Sequence, residues 1–224
     1  MKRVAVLAAV RDELAPTLRA VRKSPPTGLE LFTRVTGMGP TRVLAALAEL
    51  GRLDHLLLLG FSAGLVDDVA GGRVHRPRWV MDEAGRVLAI NDGVPRLIEN
   101  AQRAPADTLI TLGQVMHAPE GKRDLGRRHR AALADMETFA VAAEAARRGL
   151  ALTVIRAVSD PASMTLPDAI DQWVSPTGRP RAMTAAWYAL THPGCIGTLR
   201  QLQRNTSAGA RAMAGEVLRT LAAL

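Results

Sequence analysis

The stretch "HLLLLGFSAGL", from His55 to Leu65, constrains the fold more than any other part of the chain. Its apolar run shows no alternation, so both faces of the segment need cover, and the small residues Gly60, Ser62 and Gly64 close it. A strand buried on both faces is typical of a parallel sheet held between helical layers. The flanking chain offers such layers. Val4–Ala9 is a short apolar run, Asp12–Val21 has helical spacing and Leu29–Val35 alternates like a strand. "TGMGPTRVLAALAELGRL" opens on glycines and carries an apolar helical face to Leu50. Further on, Gly72–Met81 and Arg86–Ile90 read as a hairpin-like pair around "DEAG", and Val94–Arg103 as a short helix. Thr108–Met116 reads as an apolar strand and Pro119–Arg130 as a charged, solvated helix. A strand to Glu137, a helix Thr138–Arg148 stopped by Gly149, and a strand Leu152–Val158 complete the pattern. Strands alternating with helices predict an α/β fold: a mixed, largely parallel central sheet flanked by helices, with a helical C-terminal tail.

After Pro161 the character changes. Leu166–Arg181 holds Pro167, Pro176 and Pro180 and reads as an irregular connection. Helical spacing returns from Ala182, breaks near His192–Cys195 and runs to Leu224. We read a single domain over 1–224, with an α/β core over 1–165 and the connection and tail over 166–224. A boundary near residue 165 is the alternative.

Of 224 residues 48% are apolar, enough for a full core, and only 3% are aromatic, which favours helices on a sheet over a sandwich. Cys195 is the single cysteine, which excludes an internal disulfide and a cysteine zinc site and fits a reducing cytoplasm. The basic start "MKRVAVLAAVRDELAP" has too short an apolar run for a signal peptide and reads as the first strand. No run is long enough to span a bilayer. The net charge of +8 leaves phosphorylated substrates and an anionic membrane surface as partners. Nucleic acid is disfavoured, because aromatic stacking platforms and recognisable binding motifs are lacking.

Chemistry is written at the strand ends. In parallel α/β sheets ligands gather at the carboxyl ends of strands. Four stretches sit there: Arg11–Glu13, "GFSAGL", "DMET" and "RAVSD". The period of two places Arg156, Val158 and Asp160 on one strand face, and Asp135 with Glu137 on another unless that strand has already ended.

"ADMETFAVA" followed by "VIRAVSDPA" resembles the signature of the purine nucleoside phosphorylase and methylthioadenosine/S-adenosylhomocysteine nucleosidase superfamily. "TGMGPTRVLAAL" and "GFSAGL" resemble its glycine-rich turns, and "AAVRDEL" resembles the acidic first turn of its nucleosidases. The motifs run in order from residue 3 to about 162. "AVSDPASMTLPDAI", followed by "GRPR" and an arginine-containing helical end, resembles the hopanoid-associated branch, implicated in removing adenine from adenosylhopane. The resemblance implies cleavage of a purine N-glycosidic bond, and a homo-oligomer. It implies Asp160 as the acid at purine N7, oriented by Ser159, with Arg156 positioning the acid or its loop. A reference aspartate titrates at about 3.9, so burial must raise Asp160 for acid catalysis near neutrality. Glu137 is implied to hold the ribose hydroxyls, Met136 to pack on the sugar, and Val115, Met116 and His117 to meet the base.

The attacking group stays open between two chemistries. Glu13 matches the nucleosidase acid that activates water. Phosphorolysis instead needs cations around phosphate, for which Arg11 and Arg42, with the amides of Gly37 to Gly39, are the candidates. The arginine of the bacterial purine phosphorylase pattern is replaced here by Leu58, which favours hydrolysis. No cofactor is expected, phosphate being the one candidate co-substrate, and His117 and His129 lack metal-ligand spacing.

Plainer readings stand beside these. Asp160, Glu137 and Glu13 also suit helix ends, and Arg156 suits a structural ion pair. Ser62 suits a tight turn as well as a phosphate or ribose contact. Met136 suits a core, Cys195 a small inert site, and Gly121–Arg130 a solvated face rather than an anion- or membrane-binding one. A protein that binds an adenine nucleoside without cleaving it is the non-enzymatic alternative.

Overall fold

The computed structural model describes residues 1–90, 93–98, 107–172 and 191–224. Strand β1 (Lys2–Ala8) leads into helix α1 (Arg11–Lys23), then β2 (Leu29–Val35), α2 (Pro40–Glu49) and the long β3 (His55–Gly64). Short strands β4 (Val74–His75), β5 (Trp79–Asp82), β6 (Val87–Ala89), β7 (Arg96–Ile98) and β8 (Thr108–Thr111) follow. The chain continues through α3 (Pro119–His129), β9 (Ala131–Asp135), α4 (Thr138–Arg148), β10 (Ala151–Asp160) and the final helix α5 (Ile196–Ala223).

The His55–Leu65 run forms the centre of the sheet. β3 pairs in parallel with β1 on one side and with β10 on the other, and its last residues meet β9 antiparallel. The path runs β2-β1-β3-β9-β8-β5-β6-β7. Parallel pairing dominates the central strands and antiparallel pairing the β5-β6-β7 edge. Alternate residues explain the burial on both faces. Val4, Val6, Leu57 and Leu59 pack with Leu14 of α1 and Met213, Val217 and Leu221 of α5. Ala5, Leu7, Leu56 and Leu58 pack with Val43 and Leu47 of α2 and Val141 and Ala145 of α4. The tail helix therefore covers one face of the central sheet, and its apolar stripe is core.

Several expectations need correction. Within the predicted helix Val94–Arg103, Arg96–Ile98 is a strand paired antiparallel with β6, and residues 99–103 lie outside the described set. Pro95 offers no N–H, and the backbone after it completes the ladder of the neighbouring strand. The hairpin spans Trp79–Ala89 only; Val74–His75 pairs instead with β10. β8 stops at Thr111 rather than Met116, after which the Leu112 N–H donates to the Asp135 carbonyl and the Gly113 N–H to Glu83. Helix α3 is not merely solvated, since Lys122, Leu125 and Gly126 are buried on one of its faces. The part of the tail from Ala182 to Leu190 lies outside the described residues, and a 3₁₀ turn at Pro193–Cys195 precedes α5.

Candidate active site

The carboxyl ends of β1, β3, β8, β9 and β10 converge on a cavity of about 310 Å³, walled mainly by apolar side chains. Glu13, Ser62, Val115, Met116, Met136, Glu137, Ser159 and Asp160 all line it. Phe61 and Leu202 also line it, as do Met38, Leu112, Gln114, Leu166, Ile170 and Thr206, to which sequence reasoning gave no role in the site. Among the described residues no lysine or arginine faces this cavity.

Glu13 lies in the first turn of α1, 4% exposed. β1 pairs with β3 only as far as Ala8 opposite Leu59, and the Phe61 N–H beyond that point donates to Glu13 Oε1 at 2.7 Å. The Val10 N–H donates to Oε2 at 2.9 Å. Burial pushes the carboxyl up to about 7, against the pull of these two amides and the Arg156 charge.

Glu137 precedes α4 and accepts the Gly39 N–H at 2.9 Å through Oε1. Gly39 reaches it from a backbone with φ of 92°, a conformation that favours glycine, just before Pro40 starts α2. Burial raises the Glu137 carboxyl, as does the nearby Asp135 charge, while Arg156 opposes the rise.

Asp160 ends β10 and is 4% exposed. Lys122 of α3, fully buried, donates to its Oδ2 at 2.6 Å and to the Met164 carbonyl at 2.9 Å. The Ser159 hydroxyl donates to Oδ1. Burial raises the Asp160 carboxyl; Lys122 above all, then Ser159 and His117, hold it back. Ser159 itself is tied down, since Asn205 of α5 donates to its carbonyl at 2.8 Å.

Arg156 does not serve Asp160. The register of β10 against β3 shifts between Val158 and Asp160, so simple alternation fails there. The Arg156 guanidinium is buried and pairs with Asp135 at 2.5 Å, and it also donates to Thr138 Oγ1. Asp135 in turn accepts from the Thr138 N–H at the start of α4 and from Thr111 Oγ1. Arg156 and Asp135 thus fasten β9, α4 and β10 together behind the cavity, and the guanidinium acts on Glu13 and Glu137 only through its charge. Gly60 leaves room for it: a Cβ there would lie 1.6 Å from Arg156 Nη1.

The remaining candidates divide. His117 is not part of the cavity wall, but it faces Asp160 electrostatically and its carbonyl accepts the Leu166 N–H at 3.0 Å. Ser62 Oγ is buried without a hydrogen-bond partner on the cavity wall. Arg11 and Arg42 are exposed and are not part of that wall. Lys122 is the residue that sequence reasoning missed. Among the described residues no cluster of three or more His, Cys, Asp or Glu side chains is arranged to hold a metal ion.

No family model matches the chain, and no curated protein matches its sequence. Solved structures match its fold. A 5′-methylthioadenosine/S-adenosyl homocysteine nucleosidase of Campylobacter jejuni superposes with a TM-score of 0.67 at 12% identity, covering 100% of both chains. The futalosine hydrolase of Helicobacter pylori gives 0.64 at 13% identity, covering 97% of this chain and 98% of that one. A nucleosidase (MTAN) of Chlamydia trachomatis bound to adenine gives 0.62 at 15% identity, covering 100% of this chain and 99% of that one. The chain therefore has the mixed α/β fold of these solved structures.

Proposed function

We propose that the protein cleaves the bond between adenine and ribose in a purine nucleoside, and that it does so with water. The observation that carries this reading is the meeting of Glu13, Glu137 and Asp160, from three separate elements, on one apolar cavity. Such a cleavage needs an acid for the departing base, a grip on the ribose and a base for the nucleophile. Asp160 gives its proton to N7 as the C1′–N9 bond breaks. Glu137 accepts hydrogen bonds from the 2′- and 3′-hydroxyls, with Met136 packed on the sugar. Glu13, poised near neutrality, takes a proton from the water that adds to C1′. Ser62 Oγ supplies a hydrogen bond to that water or to the ribose. Val115 and Met116 flank the base.

Hydrolysis is favoured over phosphorolysis by the same wall. A phosphate needs cations, and Arg11, Arg42, Lys122 and Arg156 all stand off this surface. For the 5′-substituent we propose a lipid-linked group, as in adenosylhopane, and hence a role in hopanoid biosynthesis. Support comes from the resemblance of "SDPASMTLPDAI" and from the apolar Leu166, Ile170 and Leu202 at the cavity. We further propose a homo-oligomer working in the cytoplasm at the membrane surface; among the described residues no helix is long and apolar enough to cross a membrane.

Incubation of adenosylhopane and of methylthioadenosine with enzyme, with and without phosphate, tests these points together. Free adenine and free ribosyl product in phosphate-free buffer are expected. A ribose 1-phosphate end formed only with phosphate would replace hydrolysis by phosphorolysis. Equal or faster turnover of methylthioadenosine would remove the hopanoid assignment. Binding without adenine release from any derivative would leave a nucleoside-binding protein.

A further inference from the structure

Lys122 is the largest departure from what its helix displays. Six other charged or polar residues of α3 would suit a solvated helix, yet this side chain is fully buried, with its ammonium on Asp160 and on the Met164 carbonyl. Burying an ammonium is costly unless it is hydrogen-bonded, and here the Asp160 carboxyl and the Met164 carbonyl both accept from it. The Met164 contact also ties the segment after β10 to α3, so the acid is held from both sides. Asp160 is thereby fixed at both oxygens, Oδ2 by Lys122 and Oδ1 by Ser159. The charged and titratable groups acting on the carboxyl are Lys122 from α3 and His117 from the segment before it, while Glu13, Asp135 and Glu137 share the cavity.

We propose that Lys122 is a positioning residue for the acid: its ammonium fixes Asp160 against the departing base and stabilises the carboxylate that remains once the proton has moved. The proposal rests on Asp160 being the acid of the cleavage. The step balances simply. The Asp160 O–H bond breaks, an N7–H bond forms on the purine, the C1′–N9 electron pair leaves with the base, and Lys122 keeps all its protons. The negative charge left on Asp160 then faces a cation 2.6 Å away in a buried setting, where such a contact is poorly screened.

Removing the ammonium has a signed consequence. An opposite charge at this range commonly lowers a carboxyl by about 1–3 units, so its loss should raise Asp160 by that much. The pH profile of kcat/KM for adenine release is the readout. The limb set by Asp160 is the one absent from Asp160→Asn. In Lys122→Met that limb should move to higher pH by about 1–3 units, with kcat reduced and KM little changed. The limb set by Glu13 should stay, and Lys122→Arg should return the profile towards wild type. A riboside with a 4-nitrophenol leaving group needs no proton at N7, so its cleavage should fall far less in Lys122→Met than adenine release does. A folded, active Lys122→Met with an unmoved Asp160 limb, or equal losses on both substrates, would overturn the proposal. Should Lys122→Met not fold, Lys122→Gln, which also lacks the charge, makes the same test. Failure of both neutral variants to fold while Lys122→Arg folds would assign the pair to the fold alone and also overturn it. Wild-type enzyme that releases no adenine would instead refute the underlying function.

Discussion

In its proposed role as base, Glu13 sets the function of the site against the stability of the fold. Its carboxyl is 4% exposed and is pushed up from 4.5 to about 7, chiefly by burial. Between those values the unfolded chain is ionised at this position while the folded one still holds the proton. The contribution to stability is therefore complete below about pH 4.5 and is lost as pH rises through about 7. A rise of about 2.5, at roughly 1.4 kcal/mol per unit, amounts to about 3 kcal/mol. In a chain of this length 1 kcal/mol moves Tm by about 2–4 °C, so the loss corresponds to roughly 6–12 °C. Glu137 and Asp160 are raised too and add losses of the same sign, so wild type alone cannot isolate Glu13. The comparison with Glu13→Gln can, because the amide does not titrate while the other two acids stay. The Tm of wild type minus that of Glu13→Gln should fall by about 6–12 °C between pH 4.5 and 8, measured by calorimetry. The amide will shift the absolute difference, since it offers one acceptor to two backbone donors, but not its slope with pH. Over the same range wild-type adenine release should rise as Glu13 deprotonates, and Glu13→Gln should lose most turnover. A difference that stays constant within about 2 °C across the range would refute the assignment of a raised Glu13, and with it the argument for a base poised near neutrality.

Gly60→Ala places a methyl group where the Arg156 guanidinium lies, breaks the buried pair with Asp135 and should cost about 3–5 kcal/mol; an unchanged urea midpoint would show that the arginine has another place to go. Glu137→Gln should impair cleavage of ribonucleosides far more than of their 2′-deoxy analogues, and equal losses on both would remove it from the ribose. Arg200, Arg204 and Arg211 are exposed along one side of α5, so the protein should bind anionic vesicles weakly and lose that binding at high salt or on their replacement by Gln, each cation contributing about 1 kcal/mol. Absence of co-sedimentation at low salt, with vesicle-borne adenosylhopane still cleaved, would leave α5 a structural helix.

What was legible in the sequence is what local pattern controls. The unbroken apolar run of β3 fixed the sheet centre, and the glycine turns and strand-end acids located the cavity. What was illegible depends on a partner strand or on a single side chain. A period of two places Arg156 beside Asp160, but the register shift after Val158 sends them to different partners. β7 has no strong signal of its own; Leu97 is 63% exposed, and only the β6 ladder makes the segment a strand. Lys122 left a faint trace, since Leu125 and Gly126 lie three and four residues on and share its buried face. Six other charged or polar residues of that helix, together with the cost of burying a lysine, hid it.

The distribution of partners among the buried acids explains how one cavity can hold four carboxyl groups and still separate their tasks. Asp135 has a guanidinium and Asp160 an ammonium in direct contact, so both buried cations are held by these two acids. Glu13 and Glu137 have only backbone amides in direct contact and feel Arg156 at a distance. The cavity wall therefore carries potential negative charge without a facing cation. A phosphate dianion would be repelled there. A ribose turning oxocarbenium-like as its base departs would be stabilised there, and more strongly in an apolar cavity than in water. In the hydrolysis proposed above, the arrangement that disfavours phosphate is thus also the one that favours a cationic transition state, and both follow from where the two buried cations lie.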